Sequence, residues 1–283
     1  MSEYKYIKEL LSTGTGTEGT LLIPRKIFDT LIPEVEKRLI PRSEAMRYVG
    51  PEGVPGSSLD VDRVIENTLK VRLVPEGSKI PSDAQGYNTF NIKPLKYGVS
   101  VRITREMVED SKFPLMSENI TIAGRRFAEN ENTLVIAALD GADNTVSGGA
   151  AITIPNITRA VQYLEDADYN GTTFAIGNEV LNDLRNIDTF VEWDKVGNTE
   201  MLTKGFLGRV YGLDVIRVST NAGMTATSSY VFDRDFAYMI VEKRPISVES
   251  FETPLNDMSG VAITQRLAVS AVRTAAIAKI TTT

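Results

Sequence analysis

Strict alternation of apolar and polar residues marks two stretches in the first third of the chain. They run from residue 69 to 73, with the sequence LKVRL, and from residue 99 to 103, with the sequence VSVRI. A period of two is typical of half-exposed β-strands. Turn-forming residues such as Pro75, Gly77 and Gly86 lie between them, so the pattern predicts a long hairpin with a polar tip. Because such a hairpin has too little apolar surface to be stable alone, we expect it to lie on a neighbouring subunit.

A helical period is strongest between residues 115 and 140. Apolar residues recur there at intervals of three and four, and Gly141 follows as a C-terminal cap. Upstream, Thr104 can cap a short helix that extends through Val108. The residues expected on the buried face of the long helix are Ile120, Ala123, Phe127, Leu134 and Ala138.

The pattern changes after Gly148-Gly149-Ala150, which we interpret as a linker. Strands and helices then alternate, which is typical of a compact α/β unit. This unit comprises a helix at 157–164, a strand at 172–176, a helix capped by Asn178, a loop at 187–207 and a strand at 213–218. The last part of the chain is rich in predicted strands, at 236–241, 247–251, 261–271 and 275–280.

The N-terminus is a polar arm rich in glycine and threonine. Residues 14–19 match the dinucleotide-binding pattern G-x-G-x-x-G. That motif needs a strand before it and a helix after it, whereas here Leu-Leu-Ile-Pro follows at 21–24. We therefore interpret residues 1–20 as a flexible or extended arm. Helical spacing follows from Arg25 to Leu39, with a break expected at Pro33.

Composition removes several kinds of chemistry. The 283 residues include no histidine and no cysteine, which excludes a Ser-His-Asp triad, a His-ligated zinc site and a disulfide. The net charge of −6 argues against a dedicated nucleic-acid binder, and no apolar run is long enough to span a membrane. We interpret the paired carboxylates as solvated surface and predict no catalytic, cofactor or metal site. These pairs are Asp60/Asp62, Glu165/Asp166 and Asp233/Asp235.

The order of these elements resembles the major capsid proteins of tailed double-stranded DNA viruses, of the Hong Kong 97 type. Four stretches add to the likeness: ITRAV at 157–161, GRVYGLDVI at 208–216, YMIVEKRPISVE at 238–249 and AVRTAAI at 271–277. The resemblance implies an α+β capsid fold with five parts. These are an N-terminal arm (1–56), an extended E-loop hairpin (57–103), a first part of the peripheral domain with a long spine helix (104–151), an axial α/β domain (152–225) and a second peripheral part (226–283).

The resemblance also implies a function and partners. The chain would assemble with itself, through hexamers and pentamers, into an icosahedral shell around double-stranded DNA in the host cytoplasm. Portal, scaffolding and maturation protease would be further partners, with no cofactor and no membrane. Glu76 and Lys79, near the E-loop tip, are the expected intersubunit contacts. The type member cross-links a lysine of this loop to an asparagine of the peripheral domain, and Lys79 and Asn256 would be the counterparts here.

Three other functions would fit parts of the sequence. An encapsulin-type nanocompartment shell shares the fold but holds a cargo enzyme, and usually begins with an amphipathic helix. Here the glycine-rich segment follows after about eleven residues, which leaves little room for that helix. Tail-tube and decoration proteins are usually shorter and lack a long spine helix. A nucleotide-dependent oxidoreductase would depend on the glycine motif alone.

Overall fold

The computed structural model describes residues 40, 42, 45, 47–54, 56–65, 69–110, 115–187, 209–218, 220–253 and 256–282. The helices are α1 (Arg105–Asp110), α2 (Leu115–Leu139), α3 (Ile154–Glu165) and α4 (Asn178–Asn186). The strands are β1 (Arg47–Val49), β2 (Leu59–Val64), β3 (Tyr87–Ile92), β4 (Leu95–Thr104), β5 (Asn144–Gly149), β6 (Thr173–Ile176), β7 (Arg209–Val210), β8 (Leu213–Arg217), β9 (Ser228–Phe232), β10 (Tyr238–Thr253), β11 (Met258–Ala271) and β12 (Ile277–Thr282). The predicted arm up to residue 39 and the predicted loop from 188 lie outside the described residues.

A four-stranded sheet has the strand order β1-β10-β11-β4. Its centre is the antiparallel pair β10 and β11, and β4 pairs with β11 along its whole length, from Leu95 opposite Leu267 to Thr104 opposite Met258. The odd-numbered residues 261–267 of β11 are buried and the even-numbered ones are half-buried or less. One face of this sheet therefore packs against the protein, and the other is open over this stretch.

The long helix α2 joins two hydrophobic cores. Its first half packs Ile120, Ala123 and Phe127 against Val261 and Ile263 of the four-stranded sheet. Its second half packs Val135, Ile136 and Leu139 against Tyr230, Phe232, Tyr238 and Ile277. Leu134 and Ala138, expected on the buried face, are only half-buried. The reason is that the helix changes its packing partner, so the buried stripe shifts around its axis.

A six-stranded sheet has the order β5-β12-β9-β6-β8-β7. Helices α3 and α4 cover it, with Leu164, Val180 and Leu184 fully buried against Phe174 and Val231. Three of its strands, β5, β9 and β12, lie outside residues 152–225. The sheet's hydrogen bonds therefore cross both ends of that range.

The interpretation of Gly148-Gly149-Ala150 as a linker is wrong at its first two residues. They end β5, which runs parallel to β12 with Asn144 opposite Ala278. A Cβ added at Gly148 would come within 2.8 Å of Thr282 Cγ2. Close packing therefore favours glycine at this position, although the sequence alone suggests a flexible linker.

Two predicted helix caps have different outcomes. Thr104 caps α1 as expected, because its Oγ1 accepts the Met107 N–H at 3.3 Å. Asn178 is not the cap of α4, since Gly177 occupies that position. A Cβ on Gly177 would come within 2.6 Å of the Ala226 carbonyl oxygen, and Asn178 Oδ1 instead accepts a hydrogen bond from Arg217 Nε at 3.0 Å.

The predicted hairpin exists, but its strands are not the predicted ones. β2 pairs with β3, from Leu59 opposite Ile92 to Val64 opposite Tyr87. Residues 69–73 form no strand, and residues 99–103 belong to β4 and pair with β11. Alternation alone does not make a strand, because the backbone also needs a partner edge. The four-stranded sheet supplies one to 99–103, whereas no described strand lies beside 69–73.

Candidate assembly surface

The most exposed large apolar side chains of the described structure lie between β2 and β3. Val71 and Leu73 are fully exposed, Ile80 is 75% exposed and Leu69 is 61% exposed. Burying each of these side chains in a contact would stabilise that contact by about 1.5–3 kcal/mol. We refer to residues 69–86 as the extended segment. Its apolar side chains are typical of a surface that contacts another protein.

Few internal bonds hold the extended segment. The Ser78 N–H donates to the Pro75 carbonyl at 3.1 Å. Asp83 accepts hydrogen bonds from the Lys70 N–H and from Arg72 Nη2, both at 3.2 Å. None of its described residues before Tyr87 belongs to a strand. Much of its described backbone is therefore available for hydrogen bonds to a second polypeptide.

The base of the hairpin, in contrast, is fixed to its own subunit. Leu59, Val61 and Phe90 pack on a core that contains Val49 and Val241. Arg63 Nη1 also donates to the Val272 carbonyl at 2.8 Å. The extended segment thus follows a base that is packed on its own subunit.

Glu76 and Lys79, the predicted contact residues, are both exposed; Glu76 lies in the turn at residues 76–77, and Lys79 follows it. Asn256 is exposed in the connection between β10 and β11. No hydrogen bond joins Lys79 and Asn256 within one subunit, as far as the described residues go. Their cross-link stays a prediction.

A charged network fixes Arg42 and Tyr48 to the body of the subunit. Arg42 forms two hydrogen bonds to Glu131 of α2, at 2.8 and 2.9 Å, and its Nη1 lies 3.4 Å from Glu242 Oε2 of β10. Tyr48 donates a short hydrogen bond to Glu242, and Gln265 Nε2 donates to Glu242 Oε1 at 2.8 Å. The network therefore connects the end of the N-terminal region to the spine helix and to two strands.

Burial and charge shift the pKa values of Arg42 and Tyr48. Glu131 and Glu242 are 2% and 3% exposed, and polar groups buried to this extent need hydrogen-bond partners. Burial alone would lower the pKa of Arg42, but its bonds to Glu131 and the charge of Glu242 raise it above the ordinary value. Burial and the bond to Glu242 raise the pKa of Tyr48 to about 12. Arg42 is thus a permanent cation between two carboxylates.

A second cluster ties α2 to the six-stranded sheet. Asp140 Oδ1 accepts hydrogen bonds from Tyr230 at 2.6 Å and from Lys279 Nζ at 2.7 Å. Burial alone would raise the pKa of Asp140, but the bonds from Lys279 and Tyr230 hold it below the ordinary value. Burial and the bond to Asp140 raise the pKa of Tyr230. Asp140 is therefore a structural carboxylate.

The paired carboxylates lie in different surroundings. Asp62 accepts a hydrogen bond from Thr89 at 2.6 Å on the outer side of the hairpin. Asp233, expected to be solvated, is buried and accepts the N–H groups of Asn170 and Asp235 at 3.1 and 3.0 Å. It is buried because it closes a turn.

Within the described residues no cluster could hold a metal ion, and no helix is long and apolar enough to cross a membrane.

Residues 87–280 match the model of a family described as phage capsid protein. The chain belongs to this family. No curated protein sequence matches it.

The fold predicted from the sequence is confirmed by solved structures. The mature capsid of bacteriophage PhiM1 is 13% identical, with a TM-score of 0.70 over 87% of each chain. The capsid of cyanophage P-SCSP1u is 12% identical, with a TM-score of 0.66 over 87% of this chain and 89% of that one.

The predicted role as a major capsid protein, a subunit of an icosahedral shell, is thereby confirmed. The virus-like particle from Pyrococcus furiosus also has this fold, with 11% identity and a TM-score of 0.60 over 90% of this chain and 98% of that one. The family match is to phage capsid proteins, so the nanocompartment alternative is not favoured. Membership of this family gives the phage capsid protein a structural role in the virion.

Proposed function

We propose that this capsid protein assembles by laying its extended segment, residues 69–86, over a neighbouring subunit. The observation that carries the proposal is the exposure of Val71, Leu73 and Ile80 on a segment without a strand partner. A single subunit leaves this apolar surface in water, and overlap between copies would bury it. Glu76 and Lys79 would lie within the contact. Repetition of one such contact around a closed ring gives a finite assembly.

The complete assembly would be a shell of hexamers and pentamers that forms in the host cytoplasm and encloses double-stranded DNA. Residues 152–225 would form the axial domain near the symmetry axes, and 104–151 with 226–283 the peripheral domain. Portal, scaffolding and maturation protease would act on the shell as they do in the resembled family. The role would be structural throughout, without catalysis by this chain.

A deletion can test the contact without disturbing the fold. The last rung of the hairpin joins the Ile65 N–H to the Gly86 carbonyl at 3.0 Å. Residues 66–85 can therefore be replaced by Asn-Gly, which favours a two-residue hairpin turn. We expect folded subunits that form no closed shells, as measured by size-exclusion chromatography with light scattering and by negative-stain electron microscopy.

A length-matched control separates the reach of the loop from the contacts that its side chains make. In the control, residues 66–85 are replaced by an equally long Gly-Ser sequence, which keeps the reach of the loop and removes its side chains. This variant should fail to assemble as well, because the apolar contacts are missing. Closed shells from either variant, in wild-type yield, would contradict the proposal.

A further inference from the structure

The two-residue turn between β7 and β8 holds a tyrosine in a backbone conformation that tyrosine rarely adopts. Tyr211 and Gly212 connect these strands, and their φ angles are 51° and 82°. A positive φ at both central positions is the geometry of a type I′ hairpin turn, in which asparagine followed by glycine is the favoured pair. Gly212 therefore fits its position, whereas a bulky residue at the first position is an outlier. The backbone is strained at Tyr211.

The strained tyrosine presents its ring at the surface. The Tyr211 side chain is 53% exposed, and none of the described residues forms a hydrogen bond or a ring contact with it. The turn is held from both sides, because Val210 pairs with Leu213 and Arg209 Nε donates to Asp214 Oδ1 at 2.6 Å. A single subunit thus keeps an unfavourable backbone conformation for an aromatic ring that is largely open to solvent.

Two further connections lie at the same end of the six-stranded sheet. Thr173 of β6 pairs with Asp214 of β8 on one side and with Phe232 of β9 on the other. The turn between β7 and β8, the chain that enters β6 and the turn that follows β9 therefore lie side by side. Hydrogen bonds join them, since the Asp214 N–H donates to the Thr172 carbonyl at 2.9 Å and the Arg234 N–H donates to Thr172 Oγ1 at 3.1 Å.

Aromatic and arginine side chains lie at this end of the sheet. The rings of Tyr169 and Phe236 are 5.5 Å apart, and Phe236 is 39% exposed. The Arg273 guanidinium lies 5.9 Å from the centre of the Phe236 ring, and its Nη1 donates to Tyr169 Oη at 3.3 Å. We refer to Tyr169, Tyr211, Arg234, Phe236 and Arg273 as the aromatic surface. Tyrosine, phenylalanine and arginine are residue types that are enriched in protein–protein interfaces.

Arg234 connects the two parts of the aromatic surface. It is exposed and lies two residues before Phe236. The hydrogen bond from Arg209 lowers the pKa of Asp214, and the nearby charge of Arg234 lowers it further. Asp214 in turn follows Tyr211 by three residues. Because β8 and β9 both flank β6, their ends are two strand spacings, or about 10 Å, apart. The two parts therefore form one surface.

The charges around the aromatic surface favour a protein over a nucleic acid as its partner. Asp235 is exposed next to Arg234 in the sequence, and Asp214, 43% exposed, is paired with Arg209. Phosphate binding needs cations that are not already compensated by carboxylates. Exposed aromatic rings among charges of both signs are instead typical of a surface that contacts another folded protein.

We propose that the aromatic surface binds a second copy of the chain, with the Tyr211 ring as its anchor. Because the chain is a subunit of an icosahedral shell, copies of itself are the protein surfaces that surround it. Asparagine would relieve the strain at position 211 in an isolated subunit, whereas the ring of tyrosine can fill a pocket on a neighbour. This contact is independent of the overlap of the extended segment, because it uses a different part of the chain.

Replacing Tyr211 by asparagine separates the stability of the subunit from its assembly. Asparagine tolerates a positive φ, so Tyr211→Asn should leave the unfolding midpoint of the unassembled subunit unchanged or raise it by about 1–4 °C. The yield of closed shells should fall about ten-fold or more. Tyr211→Phe is the matched control, since it keeps both the ring and the strain, and its yield should stay within about three-fold of wild type. Calorimetry measures the midpoint, and gradient sedimentation with electron microscopy measures the yield.

Photo-crosslinking identifies the partner directly. Subunits with Tyr211→p-benzoylphenylalanine are co-assembled with an excess of wild-type subunits, and the purified shells are irradiated. We expect a product of twice the subunit mass, in which mass spectrometry finds residue 211 joined to a second copy of the chain.

Four results would overturn the proposed contact. The first is wild-type shell yield from Tyr211→Asn. The second is a fall of both midpoint and yield in that variant, since Tyr211 would then stabilise its own subunit. The third is an equal loss of yield in Tyr211→Phe, and the fourth is irradiated shells without a cross-link between copies. If replacing residues 66–85 leaves assembly intact while Tyr211→Asn abolishes it, the overlap of the extended segment is wrong and the contact at Tyr211 stands.

Discussion

Arg42 Nε lies 2.8 Å from Glu131 Oε1 and Arg42 Nη2 lies 2.9 Å from Glu131 Oε2, an ion pair with two hydrogen bonds between residues 89 positions apart. The pair fixes the chain just after the N-terminal region to the middle of the spine helix. It also gives the nearly buried Glu242 its cation. This guanidinium acts beside the Ile40 N–H, which donates to Asn132 Oδ1 of the same helix at 2.8 Å.

Replacing Arg42 by methionine should strongly destabilise the subunit. The change leaves Glu131 and Glu242 buried without a cation. Breaking a buried ion pair costs roughly 3–5 kcal/mol, and we expect about 3 kcal/mol because the Arg42 side chain is 33% exposed. Urea unfolding of the unassembled subunit measures the loss. Arg126→Met is the matched control, since its pair with Glu129 is 68% exposed on the arginine side and should contribute less than about 1 kcal/mol. Equal losses in the two variants would contradict the role of Arg42.

Truncation of Phe127 to alanine should open a cavity between the spine helix and the four-stranded sheet. Phe127 is 3% exposed and packs in a core with Ile263. The expected loss is about 3–5 kcal/mol of unfolding free energy. Ile122→Ala, on the exposed side of the same helix, should cost less than about 1 kcal/mol. Calorimetry of both variants checks this, and a small effect at Phe127 would mean that the helix does not pack there.

Asp140 should make stability depend on pH in acid. Because its pKa is lowered in the folded state, its stabilising effect is fully present above the ordinary value of 3.8. The effect is lost as the pH falls through the lower folded-state pKa. Asp140→Asn should cost roughly 0.5–1 kcal/mol at pH 7, since the carboxyl is half exposed. Urea titrations should show the difference from wild type shrinking below pH 3.8.

Lys279→Met provides the partner test for Asp140. If the two side chains act as a pair, the double variant should lose less stability at pH 7 than the sum of the two single variants. Additive losses would show that Asp140 and Lys279 act independently.

Replacing Val71, Leu73 and Ile80 by serine should abolish assembly without changing stability. These side chains are exposed in one subunit, so the unfolding midpoint of the unassembled subunit should stay within about 2 °C of wild type. Shell yield should fall at least ten-fold, because the overlap loses its apolar contacts. Ile122→Ser removes an exposed apolar side chain elsewhere and should still assemble. A triple variant that both unfolds early and fails to assemble would assign these residues to the fold of the subunit instead.

The sequence predicted the elements that depend on local pattern. Helix α2 begins and ends within one residue of the predicted 115–140, and Thr104 caps α1 as expected. The period of 3.6 and the capping hydroxyl are properties of the neighbouring sequence, so they can be recognised without the fold. The family resemblance added the order of the parts, and the phage capsid fold is confirmed.

Features set by distant partners could not be predicted in the same way. Residues 69–73 alternate as a strand does, yet no described strand lies beside them. Gly148, in contrast, lies in β5, and that strand forms because it pairs with β12. The bond between Arg42 and Glu131 and the alignment of Asp214, Thr173 and Phe232 depend on sheet register and helix packing. The residues next to these positions in the sequence give no signal for the bond or for the alignment.

The overlap of the extended segment is tested most directly by a reconstruction of the assembled shell from electron cryomicroscopy. We expect Val71, Leu73 and Ile80 of each subunit to be buried against the next subunit. A closed shell in which residues 69–86 point into solvent, or contact only their own subunit, would contradict it.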